Sequence, residues 1–249
     1  MNTYTLLGSG RLAHHMSHYF SLLGVPWHGW ARNPQSAINS FAEKDPRLRL
    51  RRALEQSSHG LLLVSDRAIP KLLEQYPELK RLQLIHCSGA LTVPGVAGAH
   101  PLMTFGKQLY TLEQYQRIPF IVETGNDFKS LFPELSNPAY PLAPEHKALY
   151  HSLCVMASNF AQILWEDIAS QFDSQLHLPQ ELLFPYLQQI LKNFELDPAT
   201  ALTGPLQRND TGTIQKHIHA LDGNLLQPIY QAFMGLSSSQ NQAASERGQ

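Results

Sequence analysis

The sequence has 249 residues, 43% of them hydrophobic and 16% charged, enough for one large core or two modest ones and unlike a disordered chain. A formal net charge of −1 gives no global field toward nucleic acid or anionic membranes, and no apolar run reaches the ~20 residues of a membrane span. The two cysteines, Cys87 and Cys154, show neither metal-ligand spacing nor a disulfide framework. With no secretory leader at the start, the expectation is a reduced cytoplasmic protein.

The first half alternates strand-like and helix-like segments. "TYTLLG" (3–8) reads as a strand, and "RLAHHMSHYFSLLG" as a helix with Leu12, Met16, Tyr19, Phe20 and Leu23 at helical spacing and Gly24 as its stop. "VPWHGWA" (25–31) predicts a second strand, "PQSAINSFAEK" a helix with Pro34 in its first turn, and "LRLRR" a third strand. "GLLLVS" (60–65) and "LQLIHCSG" (82–89) predict further strands around the helix "AIPKLLEQYPEL". Such alternation implies a mostly parallel, doubly wound sheet. After "RIPFIVET" (117–124) strand signals fade. The stretch "PEHKALYHSLCVMASNFAQILWEDIASQF" has no Gly or Pro after its first residue and carries an apolar stripe from Leu149 to Ile168. It predicts the spine of an all-helical domain. The expected layout is an α/β domain over 1–140, a helical domain over 141–236, and a polar tail over 237–249 without fixed structure.

"LLGSGRLA" places Gly8 and Gly10 after the first strand and Ala13 at the opening of the helix. This is the G-x-G-x-x-A form of the dinucleotide fingerprint: a tight turn, close backbone approach to a pyrophosphate, and a helix N-terminus facing its charge. Gly8, Ser9, Gly10, Arg11 and Leu12 are the expected phosphate-holding residues. An NAD-preferring site carries an acid about 20 residues further on, where this chain has Arg32 and Asn33. That substitution favours NADP over NAD. Ligands in such sheets lie beyond the carboxyl ends of the strands. Ser65, Asp66 and Ser88 are therefore expected beside the nicotinamide ribose, with His86 and His100 as candidate proton-transfer groups.

Other features carry less. His14 and His18 stand at i, i+4 but lack a third ligand, so no metal is expected. "RLRLRR" (47–52) is read as a strand with one polar face, since no aromatic interleaves it. No nucleic-acid or membrane partner is expected. In "TGPLQRND", Gly204-Pro205 serves as a breaker and Asp210 as a helix cap, while Arg208 has no such local role and suits a clamp for a substrate carboxylate or phosphate.

The glycine loop, "VSDRAI", "HCSGAL", "AHPLMTF", "YHSLCVMASNF" and "ALTGPLQRNDTGTIQKHIHAL" together resemble Rossmann-like proteins with a DUF2520 C-terminal domain, relatives of pyrroline-5-carboxylate reductases and 6-phosphogluconate or β-hydroxyacid dehydrogenases. The resemblance covers the chain to about Leu221. It implies a Rossmann domain followed by an all-α, 6-phosphogluconate dehydrogenase C-terminal-like domain that forms homodimers. Where the β-hydroxyacid dehydrogenases carry K-x-x-x-N, this chain keeps Asn159 but has Val155 in place of the lysine. His151, two turns before Asn159, then becomes the acid or base expected to face the cleft with it. The expectation is an NADP-dependent oxidoreductase moving hydride at a C–O or C–N carbon of a small, anionic substrate. The alternative is a non-catalytic NADP(H) sensor or scaffold.

Overall fold

The computed structural model describes residues 2–247, and their side chains as far as residue 237. Elements of the first part follow in the order β1 (Tyr4–Leu7), α1 (Arg11–Leu23), β2 (Trp27–Trp30), α2 (Pro46–Glu55), β3 (His59–Leu62), α3 (Ile69–Gln75), β4 (Gln83–His86) and β5 (Ala97–Pro101). Then come α4 (Leu112–Gln116), β6 (Phe120–Glu123), α5 (Phe128–Leu131) and β7 (Ala139–Leu142). They build one seven-stranded sheet in the order β2-β1-β3-β4-β5-β6-β7. The first five strands run parallel, and β6 pairs antiparallel with β5. Tyr4, Leu6, Leu61 and Ile85 from the inner strands pack with Met16, Tyr19 and Phe20 of α1 on one face. Leu7, Leu62 and Leu84 pack with Leu50 and Leu54 of α2 and Ile69 and Leu72 of α3 on the other. Both faces are covered, so the inner strands read as nearly continuous apolar runs.

Two local expectations are overturned. "LRLRR" lies in α2 and is not a strand. The Asp45 side chain accepts the Arg47 amide at 2.8 Å and Pro46 opens the helix, where its missing N–H costs nothing. Arg49, Leu50, Ala53 and Leu54 then form the buried face. The alternation that suggested a strand is a by-product of that helical face. Two of its exposed arginines are paired, Arg51 with Glu55 at 3.0 Å and Arg52 with Glu43 at 2.7 Å, and Arg47 lies over the Tyr76 ring. Residues 34–44 are turns and bends instead of the predicted helix. Asn39 Oδ1 accepts the Ala31 amide at 2.7 Å, and its Nδ2 donates to the Asn33 carbonyl at 2.8 Å, so side chains satisfy the local backbone. Two strands were not foreseen: β5, in a Gly- and Ala-rich run, and β7, inside the Pro-rich stretch.

A continuous helical run follows: a 3-10 turn at Pro144–His146, α6 (Lys147–Val155), a π-helical segment (Met156–Phe160) and α7 (Ala161–Ser174). Next come α8 (Leu183–Leu196), α9 (Thr211–Ala220) and α10 (Leu226–Arg247). Contacts divide the chain into two compact units, Met1–Leu164 and Trp165–Gln249, whereas composition suggested a boundary at residue 140. The first unit reaches past α6 because Lys147 is buried within it. α10 extends through much of the segment expected to be a tail; the tail's last two residues lie outside the described residues. No helix among the described residues is long and apolar enough to cross a membrane.

Candidate functional site

β1 ends in a loop that only glycine can make. Gly8 has φ +142°, and a Cβ there would lie 2.2 Å from the Leu63 carbonyl oxygen. Gly10 is the residue before α1, where an added Cβ would meet nothing within 4 Å. No side chain caps this helix start and no acid sits in its first turn. Free amides, a positive helix end and open space in front of them fit a pyrophosphate. Ala13 is fully buried, which lets α1 press against the sheet.

Beside this loop is a cavity of about 780 Å³ whose walls include Gly8, Ser9, Arg32, Asn33 and Ser65. Its lining also includes Arg67 and Lys71, which the sequence reading missed. The signal was present: "SDRAIPK" spaces the two cations by four residues just beyond the carboxyl end of β3. The Asn33 side chain accepts the Gln35 amide at 3.0 Å, so it shapes the loop at the cavity rim.

Further along the same sheet edge, Ser88 Oγ donates to Asp66 Oδ2 at 2.6 Å and accepts the amides of Ala90 and Leu91 at 3.2 and 2.9 Å. Asp66 is exposed and Ser88 buried. The serine thus fixes the bend after β4 and orients a carboxylate on the open side.

A second cavity, of about 640 Å³, lies at the end of β5 and along α6 and the π segment, and is lined among others by His100, Tyr150, His151 and Asn159. His100 Nδ1 and the Tyr150 hydroxyl share a 2.7 Å hydrogen bond. Burial first, then the neighbouring His151 and Lys147, lowers His100 to about 4, so its ring is neutral at neutral pH. Burial, followed by the influence of Cys154, pushes the Tyr150 hydroxyl up, so it stays protonated. Gly89 leaves room for the two histidine rings. A Cβ there would lie 2.6 Å from His151 Cδ2 and 3.3 Å from His100. Asn159 belongs to the π segment, and such wide turns are frequent at functional sites.

Beneath the cavity, Lys147 donates to Glu123 Oε1 and to the Leu91 carbonyl, both at 2.5 Å. Lys147 and Glu123 are 4% and 7% exposed, making this a buried ion pair that anchors the start of α6 to β6. His86 is fully buried behind them. Its Nδ1 accepts the Ser88 amide at 3.3 Å, while its Nε2 lacks a hydrogen-bond partner and stands 3.7 Å from Glu123. That separation is too long for a hydrogen bond. Burial first, then Lys147, lowers His86 to about 4, leaving it neutral.

The first unit therefore brings together His100, His151 and Asn159, along with Tyr150, which the sequence reading passed over. His86 supports the site from behind but has no exposed surface to offer a substrate. Lys147 and Glu123 were also passed over, since nothing in a sequence links a lysine to an acid on a distant strand. Arg208 lies in the second unit, exposed, and lines neither cavity. Asp210 next to it accepts the Thr213 amide at 3.0 Å and hydroxyl at 2.7 Å, as the cap of α9.

Residues 119–236 match the family described as "Domain of unknown function (DUF2520)". A search of curated proteins finds no match. Among solved structures, a protein of Bacteroides fragilis described as a candidate NADP oxidoreductase superposes with a TM-score of 0.72 at 22% identity, covering 96% of this chain and 97% of its own. A protein of Thermotoga maritima does so with a TM-score of 0.69 at 22% identity, covering 98% and 99%. Pyrroline carboxylate reductase of Plasmodium falciparum, with NADP bound, gives 0.57 at 11% identity, covering 98% and 99%. These likenesses establish the fold: a Rossmann-like α/β part followed by a helical part.

Proposed function

We propose that this chain, which carries a DUF2520 domain over residues 119–236, is an NADP-dependent oxidoreductase acting on a carbon bonded to oxygen or nitrogen in a small molecule. One observation carries the reading: a single sheet edge holds an uncapped helix start with cations beside it and, further along, a neutral histidine–tyrosine pair over a cavity. The dinucleotide, when bound, supplies the hydride. The first-turn amides of α1 hold its pyrophosphate, and Arg32, Arg67 and Lys71 face its 2′-phosphate. Tyr150 is the proton donor. A nascent alkoxide is more basic than a phenolate, so the transfer runs downhill even from a tyrosine whose pKa burial has raised. His100 orients that hydroxyl and exchanges its proton. His151 is a second acid or base on the same wall, and Asn159 offers the substrate an amide.

The lining of the second cavity contains no lysine or arginine, and Leu102, Met103 and Leu153 form part of it. This wall selects an apolar group next to the reacting carbon. The likeness to pyrroline carboxylate reductase, a reductase whose structure holds NADP, supports the cofactor and the class of bond.

A second copy of the chain completes the helical part. Among the described residues of the second unit, only Leu183 and Ile214 are buried apolar side chains. Phe184, Tyr186, Leu191, Phe194, Ile229 and Phe233 are exposed. A helical unit with so little core of its own needs a partner, and obligate homodimer interfaces resemble a core cut in half.

The test is a fluorescence titration with NADPH and NADH on the wild type and Arg32→Ala, followed by NADPH oxidation with cyclic imines and keto acids. Tighter NADPH binding that Arg32→Ala abolishes, followed by turnover, is expected. Binding of neither nucleotide refutes the reading. Binding without turnover on any substrate leaves the sensor alternative.

A further inference from the structure

Arg49 is 1% exposed inside α2. Its Nη2 donates to the carbonyls of Ala31 at 3.0 Å and Arg32 at 3.1 Å. Its Nη1 donates to the Lys44 carbonyl at 2.9 Å and to that of Glu43. Ala31 and Arg32 leave β2, while Glu43 and Lys44 immediately precede the α2 cap. One guanidinium therefore ties together both ends of the irregular loop that presents Arg32 and Asn33 to the cavity at the glycine loop.

Two features go beyond what holding a loop requires. The planar fork reaches two separate pairs of carbonyls, which a lysine ammonium cannot do. Among the described residues, moreover, no carboxylate lies within ion-pair distance of Arg49. A buried cation held by carbonyls alone carries a desolvation cost that a neutral side chain would avoid. An anion seated at Arg32, the residue whose carbonyl Arg49 holds, would offset that cost.

We infer that Arg49 is a positioning residue for dinucleotide choice: by fixing the Ala31–Arg32 peptides and placing a buried charge behind them, it sets the preference for a 2′-phosphorylated dinucleotide. The inference rests on the reading that the Arg32 cavity receives the 2′-phosphate. NADPH supplies a phosphomonoester there and NADH a hydroxyl, so their affinity ratio isolates the effect from binding of the rest of the molecule.

The experiment measures NADPH and NADH affinities by fluorescence titration on the full chain for the wild type, Arg32→Ala, Arg49→Lys, Arg49→Gln and Arg49→Ala, with thermal melts in parallel. In folded Arg49→Lys the NADPH-to-NADH affinity ratio is expected to fall about tenfold, with NADH affinity changed less than about threefold. For Arg49→Ala, added guanidinium chloride at millimolar concentration should restore part of the lost NADPH affinity without raising that for NADH. If Arg32→Ala collapses the ratio and the folded Arg49 variants keep it, the inference is overturned and the cavity reading stands. If the wild type shows no preference for NADPH, the cavity reading itself fails and takes this inference with it. If every Arg49 variant loses NADPH and NADH equally, or none folds, Arg49 serves the fold alone and the inference is overturned.

Discussion

Lys147→Met isolates the anchor of α6. In the wild type the ammonium lies 2.5 Å from Glu123 Oε1, with the pair 4% and 7% exposed. Removing the lysine leaves a buried carboxylate whose remaining contacts are the Thr92 hydroxyl at 3.3 Å and the neutral His86 at 3.7 Å. Breaking one side of such a pair costs about 3–5 kcal/mol. For a chain of this length each kcal/mol lowers the melting temperature by about 2–4 °C, so a fall of roughly 6–20 °C is expected. Calorimetry at pH 7.5, without dinucleotide, reads the transition of the first unit. The double variant Lys147→Met/Glu123→Leu removes the stranded charge and should recover more than half of the loss, since apolar replacement of both partners is often neutral or better. A single variant within about 1 kcal/mol of the wild type would refute the burial of this pair, as would a double variant no more stable than the single one.

Stability should also fall with acid. His86 and His100 are lowered from 6.5 to about 4 in the folded chain, so below pH 6.5 the unfolded chain binds more protons than the folded one. Their contribution is complete above about pH 6.5 and is lost as pH drops toward 4, with fully buried His86 worth up to ~3 kcal/mol; urea unfolding at pH 7.5, 6 and 5 measures the slope, and His86→Gln should flatten it. Gly8→Ala forces a Cβ to 2.2 Å from the Leu63 carbonyl at φ +142°, and should cost 2 kcal/mol or more and abolish binding of both dinucleotides, whereas Gly10→Ala, with open space around it, should keep the melt and weaken only binding. Sedimentation should show a particle of twice the 28.0 kDa chain mass, with Phe194→Glu dissociating it or preventing its folding; a monodisperse wild-type monomer would refute the dimer.

Much of the sheet was legible because buried parallel strands announce themselves as apolar runs, and the glycine loop because it combines a turn with a helix start. The helix α2 was misread because alternation of arginine and leucine outweighed Asp45-Pro46, a cap signal spanning only two residues. β5 escaped because "AGAHP" lacks the β-branched and aromatic residues that mark a strand, yet it positions His100. Arg32, His151 and Asn159 could be singled out from local context. Tyr150, Lys147 and Glu123 could not, since their meaning arises from contacts across 24 or more residues. Arg67 and Lys71 were within reach, because cations just past a strand's carboxyl end in a fold of this kind belong to the ligand side.

The wide turn at Met156–Phe160 also makes the length of this helix a control on angle. A regular helix advances about 100° per residue, so positions eight apart, such as His151 and Asn159, would diverge by about 80°. A π segment holds one residue more than the turn it replaces, and it narrows that divergence. Deleting a single residue between 156 and 158 would restore an ordinary turn and leave Asn159 and Ile163 facing much as they do now. The same deletion elsewhere between 147 and 164 would act as a twist, turning everything beyond it by about 100°. The wide turn is thus the one place in this stretch where the chain can lose a residue without rotating.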